Sequence, residues 1–230
     1  MIEQVSELPM KLLRNAAAVL LAGAGAAQAS TVNLVQNGSF EDFSCDLNRG
    51  GFCIGGSANV DHWIGDPNTE IQTQTTIDRF RSVDLPGVED GDAYVELDTN
   101  QNSTLTQNLV LDAGYYEFSF LYSPRVNDGS ANTNGLAYAL GDLVSGEIFG
   151  APDDDFPHGV WTRYTSSFTV DVDGTAVALA FAATGASGER GNTGALLDDV
   201  RISAVPLPAG ALMLLTALAG FGWAGRRRAV

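Results

Sequence analysis

Ala93–Asp98, which reads AYVELD, is the clearest structural signal in the chain. Ala93, Val95 and Leu97 are apolar and fall on one face of an extended backbone, while the residues between them fall on the other. Strict alternation of this kind is typical of a half-buried β-strand. The segment therefore predicts a strand that faces a hydrophobic core on one side.

Runs with the same period lie on both sides of this segment and are interrupted by Gly, Asn and Asp every 8 to 15 residues. The further predicted strands are Thr31–Val35, Leu105–Leu109, Tyr115–Tyr122, Leu136–Leu140, Trp161–Val170, Thr175–Ala183 and Leu196–Ser203. Asp173–Gly174 marks a hairpin turn, and Asn127–Asn134 and Pro152–Pro157 read as loops. This pattern predicts an all-β fold, an antiparallel sandwich or barrel.

The charge of the region between the two termini is strongly negative. Residues 30–204 contain 26 acidic and seven basic residues and no lysine, which gives a formal charge of −19. Such a surface repels phosphates, so no nucleic-acid partner is expected. It suits divalent cations, salty surroundings or neutral sugars, and it also keeps the protein soluble.

Cys45 and Cys53 are the two cysteines of the chain. An even pair in an exported protein predicts a disulfide bond, because the compartment is oxidising. The C-x7-C spacing differs from the C-x-x-C of redox catalysts, and only His62 is close enough in sequence to complete a metal site.

Residues 1–29 read as a signal peptide. Lys11 and Arg14 provide a basic region, an apolar stretch follows, and Ala27–Ala29 forms an A-x-A cleavage site. Two acidic residues precede Met10, which makes Met10 the better start of translation. The mature domain is then expected to span residues 30–204.

The last segment predicts a membrane anchor. Leu207–Gly225 contains no charged residue and, as a helix, is about 28 Å long, close to the ~30 Å hydrocarbon core of a bilayer. Arg226, Arg227 and Arg228 follow it, and basic clusters stay on the cytoplasmic side. The alternative is a buried helix of a soluble domain.

The same segment resembles a sorting signal. The motif consists of Val205, Pro206, Leu207, Pro208 and Ala209, followed by the apolar span and the three arginines. This order is similar to the VPLPA variant of the PEP-CTERM signal. The resemblance implies an exosortase-type enzyme as a partner, cleavage near the motif, and delivery to the cell surface or extracellular space.

Several short motifs between the termini resemble those of galactose-binding-like jelly rolls, which include many carbohydrate-binding modules. In order they are Asn37–Glu41 (NGSFE), Trp63, Gly91–Leu97, Ala113–Phe120 and Leu196–Val200. The resemblance implies a jelly-roll β-sandwich over roughly residues 33–203.

A metal site is predicted near the last strand. If Val200 and Ile202 face the core, simple alternation places Asp198 on the same side, where an isolated charge is very costly. Calcium, which prefers carboxylate and carbonyl oxygens, would satisfy it. The alternatives are that Asp198 caps a turn or pairs with Arg125 or Arg163.

The jelly-roll resemblance implies which residues would hold that ion. Glu41 and Asp198 are the main candidates for a structural calcium, Asp92 and Asp199 are further ones, and Ser39 offers its carbonyl.

Sugar binding in such folds uses aromatic rings and polar side chains. Trp63, Tyr122 and Arg125 are the candidate ligand-binding residues, although any one of the aromatic residues is also a candidate for the core. Trp161, Phe118 and Phe120 are expected in the core.

No catalytic residues are assigned. His62 and His158 lie in no metal motif, and no nucleophile elbow is present. The predicted function is an exported, non-catalytic carbohydrate-binding or structural module of a polysaccharide layer. Two alternatives remain: a calcium-dependent, self-associating surface protein, and a carbohydrate-active enzyme that uses Glu96 and Asp98 as acid and base.

Overall fold

The computed structural model describes residues 32–55, 60–76, 89–99, 101–125, 134–149, 160–184 and 194–206. Those up to Val205 belong to one compact unit. Within these ranges no helix is long and apolar enough to cross a membrane. The predicted signal peptide (1–29), the predicted membrane span (207–225), the predicted loop at Pro152–Pro157 and all of the predicted loop Asn127–Asn134 except Asn134 lie outside the described residues.

The described residues form eleven strands. They are β1 (Phe52–Gly55), β2 (Ile64–Asp66), β3 (Thr69–Thr73), β4 (Ala93–Glu96), β5 (Thr104–Leu111), β6 (Gly114–Ser123), β7 (Gly135–Leu140), β8 (Val144–Ile148), β9 (Thr162–Val170), β10 (Thr175–Thr184) and β11 (Leu196–Ala204). One sheet has six strands in the order β1-β3-β4-β11-β6-β9, and the other has five in the order β2-β5-β10-β7-β8. All the pairings are antiparallel. The fold is an antiparallel β-sandwich of the jelly-roll class, as predicted.

The core lies between the two sheets and is dense in aromatic rings. Phe120 packs against Tyr138, Phe181 and Tyr164 at ring-centroid distances of 5.0 to 5.4 Å. The inward positions alternate along each strand. In β4, Ala93 and Val95 belong to the core, while Tyr94 and Glu96 lie on the other side of the sheet, which is called the outer face below.

Seven of the eight predicted strands are confirmed, and Thr31–Val35 is wrong. In the described part of that segment the Asn33 side chain contacts β11 in place of a backbone ladder. Its Nδ2 donates to Val200 O at 3.0 Å, and its Oδ1 accepts from Ile202 N at 3.0 Å. Strands β1, β2, β3 and β8 have three to five residues, too few to show a clear period.

Strand β11 contains a bulge that overturns the alternation argument for Asp198. The pairing with β6 shifts between Asp198 and Arg201, and Asp199 has a φ of 44°. The extra residue moves Val200 to the core side together with Leu197, whereas Asp198 stays on the outer face, where it pairs with Leu121. Asp198 is nevertheless fully buried.

The disulfide between Cys45 and Cys53 is confirmed. The two cysteines are eight positions apart in the sequence. The bond links the segment before β1 to β1 itself, which is the edge strand of the six-stranded sheet. Cys53 itself faces the core opposite Ile71 of β3.

Candidate functional site

Polar and aromatic side chains lie close together on the outer face of the six-stranded sheet. The register places Glu70 of β3 opposite Glu96 of β4, and Gln72 opposite Tyr94. Glu96 in turn lies opposite Leu196 of β11. The group called the outer-face cluster below consists of Glu70, Gln72, Tyr94, Glu96, Arg125 and Trp161.

Gln72 connects the two strands that carry the carboxylates. Its Nε2 donates to Glu70 Oε1 at 3.2 Å and also to Glu96 Oε2. Its Oε1 accepts the hydroxyl proton of Tyr94 at 3.0 Å. Both ends of the amide are therefore used, which fixes the orientation of the Gln72 side chain.

Glu96 is fully buried and is neutralised by Arg125. Arg125 Nη1 lies 2.7 Å from Oε2 and 3.0 Å from Oε1, and Gly194 N donates to Oε1 at 2.9 Å. Arg125 follows the end of β6 and is held there by Asn134: Arg125 N donates to Asn134 Oδ1, and Asn134 Nδ2 donates to Arg125 O. The ion pair thus rests on a fixed backbone rather than on a free loop.

The pKa of Glu70 is raised to about 8. Burial is the main cause, and the negative charge of Glu96 adds to it, whereas Arg125 acts in the opposite direction. Burial raises the pKa of Glu96 as well, but Arg125 and the backbone N–H group of Gly194 oppose that rise, so we assign the proton of the pair to Glu70 at neutral pH. The cluster therefore has no net charge there.

Tyr94 and Trp161 form the aromatic part of the cluster. Their ring centroids are 5.4 Å apart in an edge-to-face arrangement, and Leu196 packs with them in a small apolar group separate from the main core. Tyr94 is fully buried, but Trp161 is only partly buried and the Arg125 side chain is 23% exposed. Trp161 and Arg125 are therefore the members of the cluster that reach solvent, whereas Glu70, Gln72 and Glu96 are buried.

The three predicted ligand-binding residues separate in the structure. Trp63 is 3% exposed, packs against Phe40 and Phe181, and donates its Nε1 proton to Asn37 O at 3.0 Å. Tyr122 is fully buried in the core, and its hydroxyl donates to Asn134 O at 2.6 Å. Neither ring presents a face to solvent, and only Arg125 belongs to the outer-face cluster.

The prediction that Trp161 lies in the core is wrong. Its ring packs on Tyr94, outside the space between the two sheets. Sequence reasoning also missed Glu70 and Gln72, since β3 was not recognised. The available signal was the sequence Thr69–Thr73 (TEIQT), in which polar residues flank one isoleucine.

Three of the predicted calcium ligands, Ser39, Glu41 and Asp199, line a common pocket of about 390 Å3, whereas Asp92 and Asp198 are not among its lining residues. Glu41 Oε1 accepts hydrogen bonds from the backbone N–H groups of Asp92 at 2.7 Å and of Ala93 at 2.9 Å. Asp92 thus contacts Glu41 through its backbone.

The charges around Asp199 are already paired. Arg163 and Arg201 both form ion pairs with Asp199, and they hold its pKa below the usual range despite the opposing effect of burial. The predicted partner of Asp198, Arg163, thus binds the neighbouring residue. Asp198 accepts backbone protons from Asp199 at 2.6 Å and from Asp90 at 3.4 Å, and burial raises its pKa to about 8.

Two of the four predicted acidic ligands, Glu41 and Asp199, already have protein partners. In the part of the chain that the structure describes, no three His, Cys, Asp or Glu side chains are arranged to hold a metal ion. The carboxylates of Glu41 and Asp199 are used by amides and guanidinium groups. The calcium site at Glu41, Asp92, Asp198 and Asp199 therefore stays a prediction.

The acid–base pair of the enzymatic alternative is not free to react in this arrangement. Glu96 binds Arg125, Gly194 N and Gln72, and both Glu96 and Asp98 are fully buried. A carboxylate that accepts four hydrogen bonds from three fixed donor groups is poorly placed to transfer a proton to a substrate.

These features define a class: an antiparallel β-sandwich whose six-stranded sheet carries a neutral polar and aromatic cluster on its outer face. No protein-family model matches the chain. Halomucin of Haloquadratum walsbyi is 31% identical over 202 residues, an alignment that covers 80% of this chain. The chain spans only 2% of the length of halomucin.

Solved structures share the fold. A Stig cyclase, Fisc from Fischerella sp. TAU, matches with a TM-score of 0.52 and 16% identity, over 77% of this chain and 99% of the cyclase. The carbohydrate-binding module TmCBM61, solved with beta-1,4-galactotriose, matches with a TM-score of 0.44 and 14% identity, over 76% of this chain and 99% of the module. At these identities the similarity concerns the fold alone.

Proposed function

We propose that this chain is a non-catalytic module that binds neutral carbohydrate through the outer-face cluster. The observation that carries the proposal is the pair of partly exposed side chains on this face, the indole of Trp161 and the guanidinium group of Arg125, which the buried groups of the cluster hold in place. Sugar hydroxyls donate and accept hydrogen bonds, and the apolar face of a sugar ring stacks on aromatic side chains.

The charge of the cluster supports a neutral ligand. With Glu70 protonated and Glu96 paired with Arg125, the site has no net charge at pH 7. The whole chain carries a formal charge of −16, which disfavours acidic polysaccharides. A neutral oligosaccharide is not repelled by this net charge.

The test is a glycan array followed by isothermal titration calorimetry with the ligands found. We expect Trp161→Ala to weaken binding roughly tenfold, because a stacked aromatic contributes on the order of 1 kcal/mol. Phe149→Ala is the matched control, since Phe149 is 74% exposed and lies at the end of β8. Binding that is unchanged in Trp161→Ala, or that is lost equally in both variants, would contradict the assignment of the site.

The proposal places the module outside the cytoplasm, at the cell surface or in a surrounding polysaccharide matrix. The support is in the sequence: the A-x-A site at Ala27–Ala29, the motif Val205–Ala209 and the basic residues Arg226–Arg228. An exosortase-type enzyme and the membrane are then the partners during export. Cell fractionation tests this, with an uncleaved cytosolic product as the contrary result.

The proposal also keeps a structural calcium ion near Glu41 and Asp198. Its support is that Asp198 is fully buried and accepts hydrogen bonds from backbone amides but has no paired arginine among the contacts described. A melting temperature that is the same in EDTA and in calcium would exclude it.

A further inference from the structure

Asp98, a further acidic residue of the outer face, has no hydrogen-bond partner for its carboxylate among the described residues. Asp98 follows the end of β4, is fully buried, and neither of its carboxylate oxygens has a hydrogen-bond partner. The hydroxyl of the next residue, Thr99, is also buried without a partner. Three oxygen atoms on consecutive residues are thus removed from water with nothing to replace it, which is costly for a charged group.

No described basic side chain compensates for Asp98. Arg125 is bound to Glu96, which lies two positions before Asp98, and Arg163 and Arg201 are bound to Asp199. The contacts of the described residues therefore leave a buried carboxyl group without a partner.

The surroundings of Asp98 offer further oxygen atoms. Asn102 pairs with Asp98 in an isolated bridge, which brings a carboxamide to the same turn. Asp98 N donates to the carbonyl oxygen of Gly194 at 3.3 Å, so the residue across from Asp98 has no side chain. The unpartnered hydroxyl of Thr69 is not counted, because it lies against Gly65 on the inner side of the sheet.

We propose that Asp98, Thr99 and Asn102 form a site for a hard divalent cation, with Ca2+ as the best match. Carboxylate, hydroxyl and carboxamide oxygens are the ligands that calcium prefers, and calcium tolerates irregular geometry. The site depends on one carboxylate and neutral oxygens, so it differs from clusters of three or more acidic or histidine side chains, of which the described residues contain none arranged for a metal. One carboxylate implies weak binding, with Kd on the order of 10⁻⁴ to 10⁻³ M.

This site is separate from the predicted calcium site at Glu41 and Asp198 and does not depend on carbohydrate binding. Asp98 lies at the end of β4 next to Gly194, whereas Asp198 contacts the backbone of Asp90 and Asp199. Variants of the two aspartates therefore distinguish the two sites.

The experiment uses the purified full chain, freed of metal with EDTA and dialysed. Its melting temperature is measured as CaCl2 is added up to ~10⁻² M, about tenfold above the weakest expected Kd. We expect calcium to raise the melting temperature of the unchanged chain and of the control Asp46→Asn, since Asp46 is exposed. In Asp98→Asn the part of the shift due to this site is lost. Without calcium, Asp98→Asn melts no lower than the unchanged chain, because the substitution removes a buried carboxyl group without a partner.

Two results would overturn the site: no calcium response in the unchanged chain, or a full response in Asp98→Asn, whatever the response of Asp198→Asn. Should Asp98→Asn fail to fold, Thr99→Val replaces it, with a weakened calcium response expected. Calorimetry adds a count of ions, and Asp98→Asn is expected to bind one ion fewer.

Discussion

The electrostatics of the outer-face cluster depend on the charge states of two residues, Glu70 and Glu96. They lie directly opposite each other on β3 and β4, an arrangement that is unfavourable when both are ionised. Arg125 binds Glu96, and Glu70 retains a proton with its pKa raised to about 8. The cluster is stable only because the two carboxyl groups have different charge states.

This difference predicts a pH dependence. The pKa of Glu70 rises from 4.5 in its reference state to about 8. The folded chain holds this proton more tightly than the unfolded chain, so the Glu70 contribution is complete below pH 4.5 and is lost as the pH rises through 8. The loss is on the order of 5 kcal/mol for one group.

Glu70→Gln is expected to remove that contribution and to flatten the decline of the free energy of unfolding between pH 5 and 9. Denaturant unfolding at several pH values measures it. Glu147→Gln, at an exposed position of β8, serves as the control and should leave the profile unchanged. A Glu70→Gln profile identical to that of the unchanged chain would refute the assigned charge state.

Arg125 has the opposite role, and its loss should be costly. Arg125→Met leaves Glu96 buried and uncompensated, which is expected to destabilise the fold by about 3 kcal/mol. Adding Glu96→Gln removes the charge and should restore most of that stability. A double-mutant cycle by denaturant unfolding measures the coupling, and additive effects of the two substitutions would contradict the ion pair.

At the level of single residues, the sequence predicted Arg125 in a binding site but not the partners that surround it. Trp63 was a candidate for ligand binding but lies in the core, whereas Trp161 was expected in the core but lies on the outer face. Both directly precede a strand, β2 for Trp63 and β9 for Trp161, so the position next to a strand does not distinguish them. Which of the two enters the core depends on contacts with distant residues, Phe181 for Trp63 and Tyr94 for Trp161, and a single sequence does not reveal those contacts.

At the level of elements, the long strands were predictable and the irregular features were not. Strands β5, β6, β9 and β10 have eight to ten residues and show a clear alternation. The bulge in β11 changes the facing of Asp198 relative to Val200, and its cause is the left-handed backbone at Asp199, which Arg163 and Arg201 hold by ion pairs. Nothing in the local pattern LLDDV announces such a shift.

The disulfide should stabilise the edge of the six-stranded sheet. Replacing Cys45 and Cys53 by serine is expected to lower the free energy of unfolding by about 2.5 kcal/mol, since the bond restricts a short loop in the unfolded chain. Chemical denaturation with and without reductant measures the effect. The reductant should destabilise the unchanged chain by a similar amount and leave the double variant unaffected.

At the level of the whole molecule, the sandwich and its charge decide which glycans can approach. The formal charge of −16 produces a long-range repulsion of acidic polymers that salt screens within about 10 Å at 0.1 M. We expect binding of neutral oligosaccharides to change little between 20 and 500 mM NaCl, whereas any weak binding of acidic ones should increase with salt. Affinity that falls steeply with salt for a neutral glycan would contradict a neutral site.

The measurement that tests the central claim most directly is the NMR signal of the indole N–H groups during titration with neutral oligosaccharides. The account predicts that the Trp161 signal shifts saturably with the same Kd as calorimetry, while the Trp63 signal, from a buried indole bonded to Asn37 O, stays in place. A ligand that binds without moving the Trp161 signal, or the absence of binding by every neutral glycan tested, would show that the outer-face cluster is not a carbohydrate site.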